Sequence, residues 1–306
     1  MYLVVGASGY LGSYVIKNIL MRTTEAVTAM ARQPDLWEDE QRVRWIPCDI
    51  ADFDSVEKTA GQLSGYQDLK IIFLAAYHLP DQVRKNPREA WNINITSLAH
   101  FINCGWNAKC LFYISTEMVY GVGGSCLFRE QDALNPVNLY GKHKAVAESI
   151  IRGYGYQALR MPFLIGPSIL QKKKHFYDEI LKDLKNHKTV KMFEDAYKNA
   201  LDFDTAAGVI VECCERFVPK MPQIMNVCGD EALSKYEIGK RIARANGCDE
   251  NLILPMKMQE PNGVFREKRA GSTLMDNTLI KQFLGIEELK INLMNGTSHE
   301  GNQRYL

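Results

Sequence analysis

A tyrosine followed four residues later by a lysine can share one face of a helix. There the ammonium lowers the pKa of the phenol and lets it pass a proton near neutral pH. The spacing occurs at Tyr66/Lys70, Tyr140/Lys144 and Tyr236/Lys240, so spacing alone does not choose the pair. Tyr66 stands beside Gly65, and Lys70 opens an apolar run, so these two need not share a helix. Tyr236 and Lys240 fit a helix, but the positions 24 residues upstream are Glu212-Cys213-Cys214, in a helical stretch with no strand-end hydroxyl. Tyr140 follows the turn-forming Asn135-Pro-Val-Asn138 and begins a helix read over 141–151, and 24 residues before it an apolar run ends in Ser115-Thr116. Ligands of open α/β sheets bind at the carboxyl ends of strands, so Thr116 would present a hydroxyl where a ligand lies. Thr116, Tyr140 and Lys144 are therefore the candidate catalytic set.

A second chemical motif, Gly6-Ala-Ser-Gly9-Tyr-Leu-Gly12, follows the first apolar run and opens a helix read over 14–20. Gly6 and Gly9 suit a tight turn with close backbone approach, and Gly12 suits packing of helix on strand. The helix N-terminus offers amides to a pyrophosphate. Twenty residues after Gly12 stands Arg32, where an acidic residue would favour NAD and an arginine suits the 2′-phosphate of NADP; NADP is favoured, with NAD possible. Asp49 and Ile50 follow the third run, placed to accept from the adenine amino group and to pack on its ring, or to form an ordinary loop.

The elements that position these groups are short apolar runs at 2–5, 26–31, 43–47, 71–75, 110–115 and 156–161, alternating with helical stretches. That pattern belongs to a doubly wound parallel α/β sheet of Rossmann type, covered on both faces. Residues 1–166 are read as the dinucleotide-binding domain. Residues 167–306 are read as a smaller C-terminal lobe for substrate, some of whose elements return to the sheet. This half holds a Lys-rich helical stretch over 171–186, a strand over 223–228 and a helix over 234–246 stopped by Asn246-Gly247; the tail over 295–306 is expected to fray.

Composition narrows the function. With 46% hydrophobic and 24% charged residues, no window reaches the roughly 18 apolar residues of a membrane span. The chain runs straight into a strand, so secretion is not expected, and eight scattered cysteines without a C-x-x-C pair suit a reducing cytoplasm with no metal. A net charge of +1, with Lys172, Lys173 and Lys174 as the one basic run, gives no field for nucleic acid.

Taken together, Gly6 to Gly12, Leu74-Ala-Ala76, Asn94, Tyr113-Ile-Ser-Thr116, Val119-Tyr-Gly121, Pro136-x-x-x-Tyr140-Gly-Lys-x-Lys144 and Gly166-Pro167 resemble the extended short-chain dehydrogenase/reductases. Those enzymes mostly modify nucleotide-linked sugars. Within them the chain is most similar to dTDP-4-dehydrorhamnose reductases, through Ser115-Thr-Glu117, Asn135-Pro-Val-Asn-Leu-Tyr140-Gly-Lys and Arg269-x-x-Ser272-x-Leu274-x-Asp276-Asn277. Ala270 departs from the proline usual after that arginine, which weakens the identification of the sugar.

The resemblance implies cofactor contacts at Gly6, Ser8, Gly9, Tyr10, Leu11, Gly12, Arg32, Asp49, Ile50, Leu74, Ala75, Ala76, Asn94, Tyr140, Lys144, Pro162 and Phe163, and substrate contacts at His78, Glu117, Met118 and Arg269. It also implies a hydride passed between nicotinamide and a sugar carbon. Tyr140 would handle the proton, Thr116 hold the oxygen, and Lys144 bind the nicotinamide ribose. Met118 has no proton to give where sugar dehydratases carry an acid and some epimerase-reductases a cysteine, so elimination and that epimerisation are disfavoured. The favoured reading is an NADPH-dependent reductase of a nucleotide-linked 4-keto-6-deoxy sugar. Its rivals are an NAD-retaining nucleotide-sugar 4-epimerase or dehydrogenase, and a non-catalytic dinucleotide-binding regulatory subunit. Lys172 to Lys174 and Arg269 are candidates for the substrate diphosphate, against plain solvated charges. Helices over 92–103 and 141–151 correspond to the pair through which the family commonly forms homodimers, with Trp91, Phe101 and Trp106 either interface or core.

Overall fold

The structure, a computed structural model, describes residues 1–33, 40–123, 127–170, 173–258 and 267–293. Lys172, Cys126 and the tail read as frayed lie outside the described residues. Six strands grow from the apolar runs: β1 (Tyr2–Val5), β2 (Val27–Ala31), β3 (Val43–Pro47), β4 (Leu69–Phe73), β5 (Ala108–Thr116) and β6 (Gln157–Met161). Shorter strands follow: β7 (Leu164–Ile165), β8 (Val190–Phe193), β9 (Tyr197–Lys198), β10 (Leu201–Asp202), β11 (Ile224–Asn226), β12 (Leu233–Ser234) and β13 (Ile253–Met256). The main sheet has seven parallel strands in the order β11-β6-β5-β4-β1-β2-β3. The remaining strands pair two by two, β7 with β10, β8 with β13 and β9 with β12.

The helices are α1 (Tyr10–Arg22), α2 (Phe53–Leu63), α3 (Pro80–Lys85), α4 (Pro87–Trp91), α5 (Ser97–Asn103), α6 (Leu139–Gly153), α7 (Phe176–Lys185), α8 (Phe203–Glu215), α9 (Lys235–Ala245) and α10 (Thr278–Leu284). Residues of α1, α8 and α10 form one apolar core with the sheet; residues of α2, α5 and α6 form the other. A third core joins Ile165, Tyr177 and Ile180 to Met192, Ile238 and Ile253. No helix among the described residues is long and apolar enough to cross a membrane.

Besides shifts at element ends, such as a strand of Ile224–Asn226 where 223–228 was read, three differences have a physical cause. The fourth strand begins at Leu69 rather than Ile71, because the buried Lys70 pairs with Glu25 and, at 2.8 Å, with Glu215. A lysine with both carboxylates at hand is accommodated inside a strand. The segment read as one helix over 92–103 opens with a π-helical turn, Asn92–Thr96, before α5. The Lys-rich helix begins at Phe176, where the His175 side chain accepts from the Tyr177 amide and Asp178 completes a capping box.

Beneath the carboxyl edge of the sheet lies a buried polar network. Ser115, beside Thr116 on β5, donates its hydroxyl hydrogen to Glu148 of α6. Glu148 also accepts from Arg160 of β6, from Nε at 3.0 Å and Nη2 at 2.7 Å. Arg160 Nη1 donates to the Tyr120 hydroxyl at 2.5 Å, and that hydroxyl donates to Asn226 of β11 at 2.8 Å. Glu148 and Arg160 are 2% and 3% exposed, so each charge depends on the other. Loss of one partner in such a pair costs about 3–5 kcal/mol, whereas replacing both with apolar groups is often near neutral. Glu148→Leu is therefore expected to lower the unfolding free energy by about that amount, with most of it restored in Glu148→Leu/Arg160→Met. Urea denaturation of the three proteins checks this; equal stability of wild type and Glu148→Leu would contradict it.

Candidate functional site

The glycine-rich turn leaves β1 and is bound to the end of β2, with the Gly6 and Ala7 amides donating to the Met30 carbonyl at 2.9 and 3.2 Å. Gly6 has φ +87°, and a Cβ there would lie 2.7 Å from the Ala75 nitrogen. Only glycine allows both that conformation and that approach to the chain leaving β4. A Cβ on Gly12 would lie 2.6 Å from the Gly6 carbonyl oxygen. Gly12 thus serves the closure of helix on turn, rather than the contact of helix with strand read from the sequence. Gly9, at φ −83°, is the N-cap of α1 and supplies no side-chain cap, and the first turn carries no acid. By contrast α2, α6, α7, α8 and α9 are capped by Asp52, Asn138, His175, Asp202 and Ser234. The amides of Tyr10, Leu11 and Gly12, at the positive end of a 13-residue helix and beside Ser8, suit the two charges of a dinucleotide diphosphate.

The other residues read as cofactor contacts lie on the same edge. Arg32 is exposed two residues beyond Met30. Asp49 accepts from the Ala51 amide at 3.0 Å through one carboxylate oxygen, and Ile50 packs in the core between β3 and α2. Leu74, Ala75 and Ala76 follow β4, half-buried. Asn94 is 3% exposed and its amide holds the Tyr77 backbone, accepting at 2.8 Å and donating at 3.1 Å. It therefore fixes the loop after β4. Pro162 is buried after β6, with Phe163 half-buried beside it.

Tyr140 and Lys144 lie on the buried face of α6, against the end of β5. Asn138 caps this helix, accepting from the Gly141 amide at 2.9 Å. A Cβ on Gly141 would meet the Met118 carbonyl oxygen at 2.5 Å, so glycine lets the first turn of α6 press on the chain just after Thr116. Thr116 is 9% exposed and accepts from the Met118 amide at 3.3 Å. Tyr140 packs with Val83, Ala90 and Met118. Lys144 donates to the Ile114 carbonyl at 2.6 Å, with its ammonium 4.3 Å from the centroid of the Tyr113 ring and 5.9 Å from that of Tyr140.

Burial governs the charges of this group. It pushes the Tyr140 phenol above its ordinary range, and it pushes Lys144 down to about 7 against an upward pull from Glu148. The lowering of the phenol expected from a neighbouring ammonium is thus absent here: the ammonium is directed at the Ile114 carbonyl and is itself desolvated.

The other two Tyr-x-x-x-Lys pairs are placed elsewhere. Lys70 sits at the opposite edge with Glu25 and Glu215, while Tyr236 and Lys240 share α9, the ammonium 4.8 Å from the ring centroid.

Glu117 follows Thr116 and is 2% exposed; one oxygen pairs with Lys198 of β9 at 2.9 Å, and the other, Oε2, has no hydrogen-bond partner among the described residues. Lys235, at the start of α9, lies 5.0 Å from the centroid of the Phe163 ring, and burial, with the charges of Lys198 and Arg269, lowers its pKa to about 8. Arg269 is not the solvated charge weighed above, since it is half-buried and paired with Asp81 of α3 at 3.0 Å. His78, in the loop after β4, has much of its area exposed. Desolvation, with repulsion from Lys144 and Lys173, lowers its pKa. The sequence reading missed Lys198 and Lys235, which come from a stretch without a motif. It also missed Glu148, an acid one turn beyond Lys144 on the buried stripe of α6, which was a legible signal.

A sequence-family model, the RmlD substrate binding domain, matches residues 1–291. The chain is 27% identical over 302 residues to methionine adenosyltransferase 2 subunit beta of Danio rerio, covering 93% of this chain and 85% of that protein. It is 21% identical over 296 residues to dTDP-4-dehydrorhamnose reductase of Aggregatibacter actinomycetemcomitans, covering 93% of each. The solved UDP-glucuronic acid 4-epimerase from Bacillus cereus, in complex with UDP-glucuronic acid and NAD, superposes with a TM-score of 0.78 at 18% identity over 94% of each chain; this likeness is one of fold.

The lowered pKa of Lys144 has a consequence for stability. Between about 7 and its ordinary 10.5, the unfolded chain holds a proton that the folded chain has released. The contribution of this group to stability therefore rises with pH across that window. Thermal melts from pH 7 to 10 should show a rise that Lys144→Met reduces, Lys235 keeping its own share above about 8, and amine-selective NMR should find a lysine titrating near 7 that is missing from Lys144→Met. A melting temperature with the same pH slope in both proteins would contradict it.

Proposed function

The chain belongs to the RmlD substrate binding domain family, and from that premise we propose that it is an NADPH-dependent reductase of a nucleotide-linked 4-keto-6-deoxy sugar, working in the cytoplasm. The observation that carries this reading is the sharing of one sheet edge by an uncapped, acid-free helix start after β1 and a buried tyrosine and lysine against the hydroxyl-bearing end of β5. The dinucleotide, when bound, supplies the hydride. The amides of Tyr10, Leu11 and Gly12 hold its diphosphate, and Arg32 meets its 2′-phosphate. Thr116 Oγ1 donates to the sugar carbonyl oxygen and holds it in place. Tyr140 Oη gives that oxygen the proton it needs as it becomes a hydroxyl. Lys144 binds the nicotinamide ribose, and an anionic ligand beside it favours its charged form, which in turn favours proton release from Tyr140. Residues of 1–166 hold most of the cofactor and the reacting carbonyl, and residues of 167–306 complete the sugar-nucleotide site. Two copies would pair through the helices over 92–103 and 141–151, where Val146 is exposed, as is Trp91 just before the first; Phe101 belongs to the core and Trp106 stacks on it at 4.5 Å.

A second reading is favoured by one observation, the similarity along 93% of the chain to a protein named as a subunit of methionine adenosyltransferase. In that reading the dinucleotide site serves association with another enzyme, and no sugar is turned over.

Tyr140→Phe is expected to lower NADPH oxidation with dTDP-linked 4-keto sugars by about two orders of magnitude or more, with cofactor affinity within a few-fold of wild type. Tyr66→Phe and Tyr236→Phe should stay within a few-fold in turnover. Full activity in Tyr140→Phe would remove it from the chemistry, and a wild type that binds NADPH but turns over none of the sugars would move the reading to the subunit. Arg32→Asp should reverse the preference for NADPH over NADH, because it sets a carboxylate against the 2′-phosphate. An unchanged ratio of the two dissociation constants would contradict this role.

A further inference from the structure

A lysine not counted among the cofactor contacts above lies against the glycine-rich turn. Lys173 donates from Nζ to the Ser8 carbonyl at 2.9 Å, one residue before the N-cap of α1. Its backbone is held independently of that contact. The Ser168 hydroxyl donates to the Lys173 carbonyl at 2.7 Å, and the Ser168 amide to the Asp178 carboxylate at 3.1 Å. Two tyrosines one turn apart on α1 fasten the surrounding chain to the helix. Tyr10 Oη donates to the Lys174 carbonyl at 2.5 Å and Tyr14 Oη to the Pro167 carbonyl at 2.8 Å. The His175 ring closes this side, edge-on to Tyr10 with centroids 4.9 Å apart. The ammonium of Lys173 is therefore delivered to the rim of the turn by a fixed backbone on a flexible side chain. Its charge also reaches His78, which feels Lys144 as well. Lys173 accordingly stands at the start of α1, where the diphosphate of a dinucleotide would lie.

We propose that Lys173 is a ligand of the dinucleotide diphosphate, exchanging the Ser8 carbonyl for phosphate oxygens beside the first-turn amides of α1. This rests on the dinucleotide reading above, and it moves Lys173 from the substrate diphosphate, for which it was a candidate, to the cofactor. The exchange is favourable because a hydrogen bond from an ammonium to an anionic oxygen is stronger than one to a neutral carbonyl. Three amides and a helix dipole worth about half a charge leave most of the diphosphate's two charges unmet.

Isothermal titration of the full chain with NADPH tests this, with adenosine 2′-monophosphate as a probe that lacks the diphosphate. Lys173→Met is expected to raise the NADPH dissociation constant about tenfold. Lys173→Arg should restore most of the affinity, and Lys174→Met, which removes the same charge next door, should stay within twofold of wild type. Affinity for adenosine 2′-monophosphate should be the same in Lys173→Met and wild type, and fall in Arg32→Asp. An NADPH affinity in Lys173→Met within twofold of wild type would overturn the proposal alone, as would an equal loss for the monophosphate. A wild type that binds neither NADPH nor NADH would overturn it together with the dinucleotide reading.

Discussion

The buried pair of Glu148 and Arg160 is the constraint on which the site depends. It ties α6 to β6, and through Ser115 and Tyr120 it reaches β5 and β11, so four elements meet at two opposite charges that exclude water. Glu148 lies one helical turn from Lys144 and two from Tyr140, and Ser115 is the neighbour of Thr116. Once the pair forms, the rotation of α6 about its axis and its height against β5 are set, and the three candidate catalytic groups inherit that geometry. An apolar contact would tolerate sliding, whereas a two-point bond between a guanidinium and a carboxylate does not. The arrangement places desolvated, hydrogen-bonded charge directly behind the groups whose protons matter.

Parallel strands explain why so much chemistry shares one edge. Because all seven run the same way, every connection leaving a carboxyl end opens on the same side. The glycine turn after β1, Arg32 after β2, Ala75 after β4, Thr116 on β5 and Phe163 after β6 arrive there together. The opposite edge carries charge of another kind. Lys70, Glu25, Glu215 and the terminal amine of Met1 neutralise one another there.

What the sequence made legible follows the range of the forces involved. Continuous apolar runs mark strands buried on both faces, and the turn of Gly6 is required by local sterics, so both could be read from a few neighbouring residues. Errors arose where a distant partner decided the matter. Lys70 looked like the start of a strand but is inside it, because Glu25 and Glu215 come from 45 and 145 residues away. Arg269 was left open between a substrate ligand and a solvated charge, and its pairing with Asp81 spans 188 residues. Lys198 is hidden beside Glu117 by a strand of two residues with no periodicity to announce it. The Tyr140 and Lys144 pair was legible as a spacing and as a place. Its electrostatics were not, because they depend on burial rather than on the order of residues.

On the proposed function, a carbonyl oxygen is held between the Thr116 hydroxyl and the Tyr140 phenol while a dinucleotide lies along the same edge. Transfer of the label from NADPH carrying deuterium at the reactive nicotinamide carbon to a dTDP-linked 4-keto-6-deoxy sugar, followed by mass spectrometry and NMR of the product, tests that claim most directly. The account predicts one deuterium at the former carbonyl carbon, delivered from a single face of the nicotinamide. A protein that binds the labelled cofactor and the sugar nucleotide together, yet returns both without transfer of label, would contradict it.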